Sequence, residues 1–127
     1  MSQIKLVNYQ IARILSDRAN ERSIRFKRLK LLAVEQEKYN AYRQKDVSTL
    51  TDSELVEFQK IYCKKRMAYA INRSLYCVKL KFTVDIREEV KSWLNGYGYT
   101  LKPSTSSHNH HPDSEKESQA SYYELNW

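Results

Sequence analysis

The first 95 residues contain neither glycine nor proline: Gly96 is the first glycine of the 127-residue chain and Pro103 the first proline. These two residues are the strongest local interrupters of regular structure, so their absence makes long helices the default. From Ser2 to Lys45 the composition is rich in Leu, Ile, Ala, Arg, Lys, Glu and Gln. Ile4, Val7 and Ile11, and later Phe26, Leu29 and Leu32, follow a helical period better than alternation. One helix of that length would reach about 65 Å, longer than a small domain. It therefore protrudes, pairs with another chain, or breaks between Ser16 and Ser23.

The next boundary is sharper. Asp46–Leu50 is a polar connector, and "TDSE" at Thr51–Glu54 has the form of a capping box, in which threonine and glutamate satisfy each other's free backbone donors. A second helix is predicted from there to about Arg73, with Leu55, Phe58, Ile61, Tyr62 and Tyr69 on an apolar side. Helix, short loop and helix read as an antiparallel hairpin. In "YCVKLKFTVDI" the period changes to two: Tyr76, Val78, Leu80, Phe82, Val84 and Ile86 alternate with mostly polar residues, the pattern of a strand. A lone strand needs a partner, either a strand of this chain that the pattern does not reveal or the same strand of a second copy, and the latter gives the expected dimer. "REEVKSWLNGYGY" predicts a short helix from Arg87 to Leu94 that stops at Asn95–Gly96. The expected fold class is thus mainly α with a minor α+β part: a long N-terminal helix in a helical hairpin, one C-terminal strand and a short helix. Residues 1–102 form the folded domain, and 103–127, polar and short of large apolar residues, are expected to be a disordered acidic tail.

Charge is distributed unevenly along the chain. The net charge is +7, but residues 1–102 carry 21 Lys and Arg against 11 acids, while residues 103–127 carry one Lys against four acids. A surplus of +10 on the body is the electrostatic footprint of a protein that meets phosphates; solubility is the plainer alternative. The densest basic segment, Arg13–Lys30, holds seven basic residues against Asp17 and Glu21. Within it Arg18, Arg22 and Arg25 are spaced i, i+4, i+7, where a buried stripe would carry leucines. Guanidinium groups along one helix face can grip phosphates in bidentate fashion; solvated arginines near Asp17 and Glu21 are the competing reading. The expected nucleic-acid-binding residues are Arg18, Arg22, Arg25, Lys27, Arg28 and Lys30, with Lys60, Lys64, Lys65, Lys79 and Lys81 contributing. The expectation is backbone contact with duplex RNA or DNA and little sequence specificity.

Other chemistries find little support. No histidine lies in the first 107 residues, no Gly-rich phosphate loop is present, and no Cys and His constellation occurs, so an enzyme is not expected and no cofactor is implied. His108, His110 and His111 lie in the polar tail with nothing to pre-organise them as metal ligands, so no metal site is assigned. Two isolated cysteines point to a reducing compartment. No signal peptide and no span of about 18 apolar residues is seen, giving the expectation of a soluble intracellular protein, cytoplasmic or nuclear, with no membrane partner. The ten tyrosines read mainly as core filling, although Tyr39, Tyr42, Tyr97 and Tyr99 could stack on bases. The alternative function is a helical adaptor that binds an acidic protein, with the "YYELNW" end docking through Tyr122, Leu125 and Trp127. Size, basic body and acidic tail also fit a viral or mobile-element accessory factor, an assignment that no motif carries.

Overall fold

The computed structural model describes residues 4–18, 31–104 and 121–127. In chain order the elements are α1 (Tyr9–Arg18), α2 (Ala33–Arg43), a single 3-10 turn (Val47–Thr49), α3 (Asp52–Ile71), β1 (Cys77–Phe82), α4 (Glu88–Gly96), β2 (Thr100–Pro103) and β3 (Ser121–Asn126). The fold is therefore mixed and helix-rich, with a small antiparallel sheet in the order β1-β3-β2.

Helix α3 begins where the capping box predicts. Thr51 Oγ1 accepts from Glu54 N at 3.2 Å, and Thr51 N donates to Glu54 Oε1 at 3.1 Å. Instead of one apolar side, α3 buries Leu55, Gln59, Ile61, Cys63, Met67, Ala68, Ala70 and Ile71, because α1, α2, α4 and β1 all lie against it. Helix α2 lies along α3 from Glu57 to Lys64: Tyr39 stacks on Phe58 with centroids 5.6 Å apart, Tyr42 donates to Glu57 at 2.8 Å, and Lys64 reaches Glu35 at 2.7 Å.

The single helix expected over residues 2–45 does not form. Residues 4–8 are non-helical, and Leu32, at the start of α2, is extended with ψ 154°. Glu35 Oε1 accepts from Leu32 N at 3.0 Å and fixes that start. Without glycine or proline to mark it, this boundary rests on a side-chain hydrogen bond that spacing alone does not display.

At its far end α3 closes with a Schellman arrangement: Leu75 N donates to Ala70 O at 2.9 Å and Ser74 N to Ile71 O at 3.0 Å. Ser74 occupies the left-handed position with φ 60°, which normally belongs to glycine, and its buried hydroxyl has no hydrogen-bond partner among the described residues. Ser74→Gly is expected to raise stability by about 1 kcal/mol, read as a higher urea midpoint at unchanged slope.

The largest departure from expectation is the tail. Residues 121–126 form the central strand, pairing with β1 (Val78↔Leu125, Leu80↔Tyr123) and with β2 (Leu101↔Leu125). Residues 100–103 are also a strand, so a boundary at 103 falls inside the folded unit; residues 105–120, with the three histidines, lie outside the described residues. Leu125 is fully buried and Trp127 nearly so. They are thus core residues rather than anchors for a partner. Trp127 Nε1 donates to Ser16 Oγ at 3.0 Å, and Ser16 Oγ donates to Leu75 O at 2.7 Å, tying α1, the α3 turn and β3 together.

Because β1 finds its partner within the chain, the unpaired strand that pointed to a dimer is removed. Its other edge is also occupied: Lys81 N donates to the Tyr62 hydroxyl at 3.0 Å, and Arg66 Nη2 meets Lys79 O at 3.5 Å. The opposite edge, β2, is four residues long and ends in Pro103. Both are devices that blunt a sheet edge.

The inner face of the sheet packs Val78, Leu80, Phe82 and Leu125 against Met67 and Ile71 of α3 and Val90 and Leu94 of α4. The segment 4–8 is strapped over the end of α4: Trp93 Nε1 donates to Ile4 O at 3.0 Å, the Tyr99 hydroxyl to Val7 O, and Tyr9 N to Tyr97 O at 2.9 Å. Gly98 has φ +88°, and a Cβ there would lie 2.2 Å from the Tyr9 ring. Both the turn and the close approach require glycine.

Candidate nucleic-acid interface

Strand alternation turns Cys77, Lys79 and Lys81 outward, and burial follows it, with Val78, Leu80 and Phe82 buried between them. Register then sets the neighbours on the outer face: Lys79 lies opposite Glu124, which lies opposite Lys102, and Lys81 lies opposite Tyr122. The Lys81 ammonium is 5.9 Å from the Tyr122 ring centre. Among the described residues, no carboxylate forms an ion pair with Lys79, Lys81 or Lys102.

Beside β1 runs one side of α3. Tyr62, Arg66 and Tyr69 are spaced i, i+4, i+7 and fall within about 60° of one another, and Arg73 follows in the turn just beyond the helix end at Ile71. The Tyr62 and Arg66 bonds to the β1 backbone hold this stripe along the strand. Tyr69 is 47% exposed, with the Arg73 guanidinium 3.6 Å and the Arg66 guanidinium 5.4 Å from its ring centre. Arg66, Tyr69, Arg73 and Lys102 were not among the sequence-predicted residues; the i, i+4, i+7 spacing from Tyr62 puts Arg66 and Tyr69 on one side of α3 but does not show that this side lies along β1.

The expected site residues divide three ways. Arg18 ends α1 and is exposed, while Arg22, Arg25, Lys27, Arg28 and Lys30 lie outside the described residues. Lys79 and Lys81 share the outer sheet face. Lys60, Lys64 and Lys65 are engaged inside the fold: Lys60 sits 3.7 Å from Glu89 and 5.5 Å from the Trp93 ring centre, Lys64 pairs with buried Glu35, and Lys65 lies 4.4 Å from the Tyr39 ring centre. Tyr39, Tyr42, Tyr97 and Tyr99 likewise pack on Phe58, Trp93 and Trp127, so their rings serve the core.

Titratable groups here are tuned toward structure. Burial pushes the Cys63 thiol up, and a thiol held protonated is inert; Cys77 is a free, exposed thiol on β1. Burial, and then a hydrogen bond to Asp85, push Tyr123 up to about 12, while that bond draws the Asp85 carboxyl below its ordinary range. The bond ties the turn after β1 to β3. Among the described residues, no cluster of three His, Cys, Asp or Glu could hold a metal ion, and no helix is long and apolar enough to cross a membrane.

In comparisons with known proteins, no family model, no curated protein and no solved structure matches the chain.

Proposed function

We propose that this protein binds nucleic acid through its phosphate backbone, with little base specificity. The observation that carries the reading is that Arg18, Lys79 and Lys81 are exposed and, among the described residues, without a carboxylate partner, in a body of +10. Cations paired with acids have much of their field cancelled; Arg18, Lys79 and Lys81 form no such pair among the described residues, although Glu124 lies opposite Lys79, and they remain available to a polyanion. Arg22, Arg25, Lys27, Arg28 and Lys30 extend the same charge by sequence. Lys60 and Lys64 leave the proposed contact set because Glu89 and Glu35 hold them.

The test is fluorescence anisotropy with duplex RNA, duplex DNA and single strands over a salt series, comparing wild type with Arg18→Ala/Arg22→Ala/Arg25→Ala. The affinity of the wild type should fall log-linearly with salt, and the triple variant should flatten the duplex slope by about 2.7. Absence of binding near physiological salt would defeat the proposal and turn the search toward an acidic protein partner.

A further inference from the structure

We propose that the stripe Tyr62–Arg66–Tyr69 of α3 with Arg73 just beyond its end, together with the outer sheet face bearing Lys79, Lys81 and Tyr122, is a track for single-stranded nucleic acid. The inference rests on the nucleic-acid reading above and adds which form of nucleic acid this surface takes.

Its geometry goes beyond charge. Lysines alone would suit any polyanion, but here an exposed tyrosine ring is braced by guanidinium groups at 3.6 and 5.4 Å. A second ring, Tyr122, lies beside Lys81 across the strand pair. Aromatic rings and guanidinium planes are the surfaces on which unpaired bases stack, and they do so without regard to sequence. A duplex keeps its base faces inside and can offer this surface only phosphates.

The track is also fixed in place. Tyr62 and Arg66 are bonded to the β1 backbone, so the α3 rings and the β1 lysines keep one spacing, and little ordering is needed on binding. On the outer sheet face Lys79 and Lys102 both lie opposite Glu124, and Lys81 lies opposite Tyr122. Backbone phosphates would run along the lysines, with bases turned toward Tyr69 and Tyr122.

The experiment measures anisotropy of the full chain with a labelled oligothymidylate and a labelled duplex DNA of the same length, over a salt series. Tyr69→Ala should weaken oligothymidylate binding about tenfold with no change in salt slope, and leave duplex binding unaltered. Tyr69→Phe, which keeps the ring, should retain wild-type affinity. Lys79→Gln/Lys81→Gln should instead flatten the single-strand slope by about 1.4. Since Tyr69 is half exposed, its variants keep the fold, checked by circular dichroism. If both probes bind and Tyr69→Ala loses nothing on the single strand, the stacking track is overturned while phosphate binding stands. If neither probe binds near physiological salt, both readings fall.

Discussion

Replacing Gln59 by leucine is expected to destabilise the protein by about 3 kcal/mol. Gln59 is 2% exposed in the middle of α3, yet it is not there to fill space. Its Nε2 donates to Val84 O at 3.0 Å and to Asp85 O at 3.1 Å, and its Oε1 accepts from Arg87 N at 2.9 Å. Those three backbone groups belong to the turn between β1 and α4. Arg87 opens α4 and supplies no side-chain cap of its own, so a helix start depends on an amide from another helix. Leucine is close to glutamine in size, and the loss is therefore one of hydrogen bonds: two carbonyls and an N–H in part-buried bonds of the turn left without their partner, each costing on the order of 1 kcal/mol. Urea denaturation followed by circular dichroism measures it. A loss under about 1 kcal/mol would show that water reaches those groups and that Gln59 is not the clasp described.

Lys64→Met is expected to cost about 3 kcal/mol. Glu35 is 5% exposed, and the Lys64 ammonium lies 2.7 and 3.0 Å from its two oxygens. Removing the cation leaves a buried carboxylate uncompensated, whereas Glu35→Gln/Lys64→Met removes the charge and keeps an acceptor for Leu32 N. The double variant should recover much of the loss, a coupling that a double-mutant cycle resolves. Additive losses would mean that the two residues do not act as a pair. The result also bears on function, since a binding defect in a Lys64 variant would report on the fold rather than on a phosphate contact.

Local signals carried the parts of the fold that sequence reading placed well. The capping box at Thr51–Glu54, the alternation of Val78, Leu80 and Phe82, and the stop of α4 near Gly96 each depend on neighbours a few residues apart. What was not legible depends on distant partners. In "YYELNW" the inward residues Tyr123, Leu125 and Trp127 do alternate with Glu124 and Asn126. Six residues behind a long polar stretch, however, give no indication that they lie between β1 and β2. Read without that pairing, the segment looks like a free docking motif. Helix α2 likewise starts at an extended Leu32 held by Glu35, which propensity does not mark. The candidate site was half visible: Lys79 and Lys81 followed from strand period, whereas Arg66, Tyr69 and Arg73 became part of it only once α3 was seen to lie along β1.

The most direct measurement is a two-dimensional amide NMR titration of the full chain with the oligothymidylate. The account predicts progressive shifts concentrated at Arg66, Tyr69, Arg73, Lys79, Lys81 and Tyr122, with the α2–α3 contact around Glu35 and Phe58 unchanged. Shifts confined to that contact, or no shifts at near-physiological salt, would contradict it.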